Sequence, residues 1–146
     1  MNALLKRACD WLVEERRREL IVALEQALAG HPEALGPDAF VTRHHYAPGS
    51  YAREIELPAG SCVVGKIHRH AHVNVVSKGC VLVYTAEDGL LEIEAPMTFV
   101  SKAGTKRAVL ALEDAVWTTV HVTEETDLAA IERDIIAPTF AALEHL

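Results

Sequence analysis

The stretch Gly65-Lys66-Ile67-His68-Arg69-His70-Ala71-His72, closed further on by Gly79, decides how this chain is read. Three of the eight histidines stand there at strict two-residue intervals. Residues two apart on a β-strand point to the same face, so the spacing predicts that His68, His70 and His72 project together. Neutral imidazole is the commonest nitrogen ligand for transition-metal ions. The stretch is therefore a candidate metal platform. It marks a place and names no reaction.

Outward from it, the apolar pattern has a period of two. Candidate strands are Phe40–Tyr46, Tyr51–Leu57, Ser61–His68, His70–Val76, Cys80–Thr85, Leu90–Glu94, Met97–Ser101, Arg107–Leu112 and Val116–Val122. Pro48-Gly49, Pro58-Ala59-Gly60, Lys78-Gly79, Asp88-Gly89 and Ala103-Gly104 supply the turns, and Asp88-Gly89 between alternating runs is a hairpin signal. Many short strands at near-regular spacing predict an all-β barrel or sandwich. Upstream, Leu5, Ala8, Leu12, Leu20, Leu24 and Leu28 follow helical spacing, which predicts an amphipathic helix over 3–29, stopped by Gly30 and Pro32. Downstream, 127–137 reads as a short helix with Thr126 as N-cap, packing Leu128, Ile131, Ile135 and Ile136 on the barrel.

With 146 residues the chain fits one domain, and half of its residues are apolar, enough for a core. A net charge of −7 argues against nucleic acid and anionic membrane as partners. Glu14-Glu15-Arg16-Arg17-Arg18-Glu19 reads as a solvated helix face rather than a basic patch. The charged N-terminus lacks the apolar core of a secretory signal, and no apolar run is long enough to span a bilayer. Cys9, Cys62 and Cys80 are an odd, scattered set and read as free, buried thiols, so a cytoplasmic protein is expected.

The strand-rich chain, the histidine segment closed by Gly79, and the Ala103-Gly104 turn before a late strand resemble the cupin superfamily. Counted back from Gly79, the family's two motif histidines fall on Lys66 and His68, and its glutamate falls on His72. In the second motif Arg107 stands where the family has histidine. Ala47–Ile55, Ala103–Arg107 and Val116–Val122 are more narrowly similar to small cupin-like proteins encoded in phage and prophage genomes, largely of unassigned function. The resemblance implies a mainly β fold: a single jelly-roll barrel over 39–124, an N-terminal helix and linker over 1–38, and a C-terminal helical tail over 125–146.

With two usual ligands replaced, the expected metal set is His68, His72 and His121, the last sharing a strand face with Trp117 and Thr119. His70 is the substitute should His121 prove remote. Such an N3 set suits Zn, Ni, Fe or Mn, and affinity order does not choose among them. Lys66, Arg107 and His70 are candidate ligand-binding residues. Both cations would neutralise a small anionic ligand, although the bland expectation on a strand is a solvated rim position. His44 and His45, as neighbours, are expected outside the pocket, and Tyr46, Tyr51 and Trp117 are expected as core or interface aromatics. No Gly-x-Ser-x-Gly elbow supports serine hydrolysis. Two functions compete: a metal-dependent enzyme or binder of a small anion, and a noncatalytic ligand sensor or interaction module, as in a phage accessory protein. A homodimer is plausible through exposed strands or the first helix.

Overall fold

The switch from helical to alternating period falls where the sequence places it. The computed structural model describes residues 2–36 and 38–143. Helix α1 (Ala3–Ala29) starts at Asn2, whose side chain accepts from the Leu4 amide at 2.9 Å. The strands follow as β1 (Thr42–Ala47), β2 (Ser50–Leu57), β3 (Cys62–Val64), β4 (Ile67–His68), β5 (His72–Lys78), β6 (Cys80–Thr85), β7 (Gly89–Glu94), β8 (Met97–Ser101), β9 (Arg107–Ala111) and β10 (Ala115–Val122). Helix α2 (Leu128–Ile135), β11 (Ile136–Ala137) and a 3-10 turn (Phe140–Leu143) close the described chain.

Two antiparallel sheets face each other, one ordered β1-β2-β10-β5-β8 and the other β3-β9-β6-β7. Strands distant in sequence lie side by side, as β2 does with β10 and β3 with β9, which is jelly-roll connectivity. Leu57, Val76, Val81, Val83, Ile93, Val109 and Trp117 fill one half of the space between the sheets. At the other half α2 packs Ile131 and Ile135 against Tyr51. Burying such a side chain contributes about 1.5–3 kcal/mol.

Gly79, at the β5–β6 turn, has φ +83°, and a Cβ there would overlap the Asp114 carbonyl oxygen. No other residue fits, which gives the sequence marker a steric cause. Gly89 has φ +70° and closes the β6–β7 hairpin after Ala86-Glu87-Asp88.

Several expectations are corrected. The histidine stretch is not one strand: β3 ends at Val64, β4 holds only Ile67 and His68, and the chain bends at Arg69-His70 before β5. The bend exists because the chain changes sheets here. β4 pairs with β11, whereas β5 lies between β10 and β8. The C-terminal helix is shorter than 127–137, since Ile136 and Ala137 pair with β4, and Asp127 caps it instead of Thr126 by accepting from the Ala130 amide at 3.0 Å. Residues 144–146 of the expected tail lie outside the described residues. Cys9 and Cys62 are exposed, and only Cys80 is buried.

The apolar stripe predicted for α1 does not face the barrel. Of its residues only Leu28 is partly covered, while Leu5, Ala8, Leu12, Leu20 and Leu24 are exposed. The docked line is Arg17, Ile21, Glu25 and Leu28, spaced four, four and three apart along one face. Ile21 is 1% exposed. Arg17 donates to the carbonyls of Ala86 (3.0 Å) and Glu87 (3.3 Å), and Glu25 meets Lys106 at 2.9 Å. No described helix is long and apolar enough to cross a membrane.

Candidate functional site

Period-two geometry aims alternate residues of four strands into the barrel. Tyr51 and Arg53 of β2 stand beside His121 and Thr119 of β10, and Thr119 stands beside Asn74 of β5. All of these but Asn74, together with Lys66, His68 at the end of β4 and Arg107 at the start of β9, line one cavity of about 610 Å³. The end of α1 and residues 31–36 border its mouth.

Three imidazoles stand close together: His68 and His121 line the cavity, and the buried His72 lies beside both. Ring centroids lie 4.2 Å apart for His68–His72, 5.0 Å for His72–His121 and 5.3 Å for His68–His121. Burial chiefly, then His72, Arg107, His121 and Arg53, holds His68 down at about 2. Burial, then His72, His70 and Arg107, brings His121 to about 4. Burial also lowers His72, partly opposed by its hydrogen bond to the His70 carbonyl. All three are neutral at physiological pH, as metal ligands must be. His72 Nδ1 donates to that carbonyl at 3.2 Å, which leaves a lone pair on Nε2, and Nε2 is buried with no hydrogen-bond partner.

In donor type and charge state these residues fit a transition-metal ion. The His68 and His121 rings are stacked at 11° and both are tilted by 36° to His72, and among the described residues no group of three His, Cys, Asp or Glu is arranged to hold a metal ion as it stands. No carboxylate belongs to the set, so the positive charge nearby is not offset from within it.

That charge is Arg107. It is 8% exposed, against the solvated rim position expected of it, and among the described residues it forms no ion pair. Its guanidinium donates to Asn74 Oδ1 at 3.2 Å and to Ser101 Oγ, and its carbon lies 5.1 Å from the centre of the Trp117 ring. Burial brings Arg107 down to about 10, with Glu87 opposing. Asn74, 0% exposed, organises the floor. Its amide donates to Ser101 Oγ (2.9 Å), and its oxygen accepts from both Arg107 and Trp117 Nε1 (3.1 Å). The side chains that accept from the guanidinium, Asn74 and Ser101, are neutral.

The remaining candidates divide. Lys66 is on the rim, exposed, and 3.8 Å from Glu132. His70 sits in the bend, exposed and outside the cavity, so it does not share a face with His68 and His72. His45 is exposed, 3.9 Å from Glu54. His44 does not line the cavity, but its Nδ1 lies 2.7 Å from the hydroxyl of Tyr51, which does. Tyr51 and Trp117 are buried as expected and also form cavity wall, and burial chiefly pushes the Tyr51 hydroxyl up to about 12. Sequence reasoning missed Asn74, Ser101 and Arg53. The signal was present for two of them: Asn74 is two residues after His72, and Arg53 two after Tyr51.

No family model matches the sequence, and no curated protein does. Solved structures do match. A cupin superfamily protein from Desulfitobacterium hafniense is 7% identical, with 60% of this chain and 81% of that one covered and a TM-score of 0.50. KdgF from Halomonas sp. is 17% identical, with 68% and 94% covered and a TM-score of 0.53. The salicylate 1,2-dioxygenase of Pseudaminobacter salicylatoxidans is 16% identical, with 84% of this chain but 35% of that one covered and a TM-score of 0.54. At these identities the likeness is one of fold, and the fold of this chain is the cupin jelly roll.

Proposed function

We propose that this chain is a small metal-binding protein of cupin fold, in which His68, His72 and His121 hold a divalent transition metal and Arg107 receives a small anionic ligand. The observation that carries the proposal is His72 Nε2, buried without a partner beside two imidazoles that burial keeps neutral. A buried polar atom left unpaired costs about 1–3 kcal/mol, which coordination would recover. When bound, the ion supplies Lewis acidity to a carbonyl or hydroxyl of the ligand. The chain's own groups do the rest. The His70 carbonyl fixes the His72 tautomer, Asn74 and Ser101 orient Arg107, and the guanidinium presents its fork to a carboxylate or phosphate. Zn, Ni, Fe and Mn all suit this donor set.

Elemental analysis of purified protein tests the reading. Stoichiometric metal in the wild type, lost in a folded His68→Ala/His72→Ala variant, is the expected result. Unchanged metal in that variant refutes the site.

A further inference from the structure

Arg107 is not the only unpaired cation in the cavity. Arg53, on the inward face of β2, lines the same space and, like Arg107, forms no ion pair among the described residues. It is exposed where Arg107 is buried, so one guanidinium stands at the mouth and the other at the floor. Arg53 stands in register beside Thr119, and Thr119 beside Asn74, which accepts from Arg107. None of the carboxylates lining the cavity forms an ion pair with either, and Glu87, which is not in the lining, acts on Arg107 without pairing with it. Glu25 is held by Lys106, Glu132 lies against Lys66, and Glu33 stands on the segment that follows α1. Ile55, Val63 and Val109 add apolar surface to the same lining.

We infer that the cavity is built for a dianion, a dicarboxylate in the simplest case. One carboxylate is seated on Arg107 at the floor and the other on Arg53 at the mouth. This rests on the anion-binding half of the function proposed above. The two ends are unequal. Arg107 acts in a low-dielectric surround with its donors pre-aimed by Asn74 and Ser101, so it dominates affinity. Arg53 works in water, where a charge pair is screened and weaker, so it adds selectivity.

Calorimetric titration of the intact, metal-loaded chain tests this, with succinate, glutarate and adipate against butyrate, valerate and hexanoate. The expected result is that the best-fitting dicarboxylate binds about tenfold tighter than the monocarboxylate of equal length. In Arg53→Gln that ratio falls to near one while the monocarboxylate affinity stays within about twofold. Equal affinities in the wild type, or an Arg53→Gln change that weakens both series alike, overturn the dianion. The parent reading fails in a different way, by monocarboxylates that do not bind or bind as well to Arg107→Gln. Arg107→Lys, which retains the charge but not the fork, serves should the Gln variant not fold.

Discussion

The same four strands build two chemically opposite halves of the barrel. β2 runs from Tyr51 and Arg53 to Ile55 and Leu57, and β5 from His72 and Asn74 to Val76. β9 runs from Arg107 to Val109 and Ala111, and β10 from His121 and Thr119 back to Trp117 and Ala115. At one end these inward residues are apolar and belong to the core, some of them also forming cavity wall; at the other they are imidazole, amide and guanidinium. The backbone is alike in both. The contrast lies in what each half demands of its side chains. The core needs volume and shape, whereas each polar group at the site needs a partner, and His72 Nε2 and Arg107 lack one of matching chemistry.

Trp117 joins the halves, so its removal is the largest way to break the contrast. It packs edge-on against Phe99 within the core, and its Nε1 donates to Asn74 at the site. Trp117→Ala is expected to cost about 3–5 kcal/mol in urea denaturation. Asn74→Ala removes the acceptor of both Arg107 and Trp117 and is expected to cost about 1–3 kcal/mol for each donor stranded. A core variant such as Val83→Ala should lose stability with metal content unchanged. Loss of metal from a folded Val83→Ala chain would show that the halves are not separable.

Acid should act on one half alone. The ordinary histidine value is about 6.5, and His68 and His121 lie at about 2 and about 4 in the folded chain. Below about 6.5 the unfolded chain therefore takes up protons that the folded chain refuses. Folded-state values lowered in this way give stability that is present above the ordinary value and lost as the pH falls. For metal-free protein in chelator, the melting temperature is expected to drop from pH 7 through pH 4, the His121 share ending near pH 4 and the His68 share continuing below it. His68→Asn/His121→Asn should flatten that slope. An unchanged slope in the double variant would assign the acid sensitivity to other groups.

The core half was legible in the sequence and the site half only in outline. Alternation located nearly every strand, because a strand with one buried face must repeat every two residues. Gly79 was readable because its turn excludes any side chain. The rings of His68, His72 and His121 lie within 4.2–5.3 Å of one another, although His68 and His72 are on different strands and not on the single one their spacing predicted. His70 misled, since perfect spacing in sequence says nothing of a bend where the chain leaves one sheet for another. Arg107 misled in the opposite sense. A strand-borne arginine is ordinarily solvated, and its burial depends on Asn74 and Ser101, from strands β5 and β8. The stripe on α1 failed because Leu20 and Leu24 stand next to the docking residues Ile21 and Glu25, and one residue turns a helix by about 100°.

The smallest expected change in stability is also the most discriminating. Arg107→Met gives up the guanidinium over the Trp117 ring but keeps an apolar stem, and no partner is orphaned. Asn74 Oδ1 still accepts from Trp117, and Ser101 Oγ still accepts from Asn74. What disappears is a buried cation with no ion pair, whose desolvation outweighs the opposing pull of Glu87, and replacing buried charge with an apolar side chain is often neutral or stabilising. The metal-free variant is therefore expected to match the wild type or exceed it by about 1 kcal/mol in urea, while binding of carboxylate probes is lost. A guanidinium kept for the architecture would behave otherwise. Its loss would cost several times that amount, and the comparison of the two halves would then have to place Arg107 with the core.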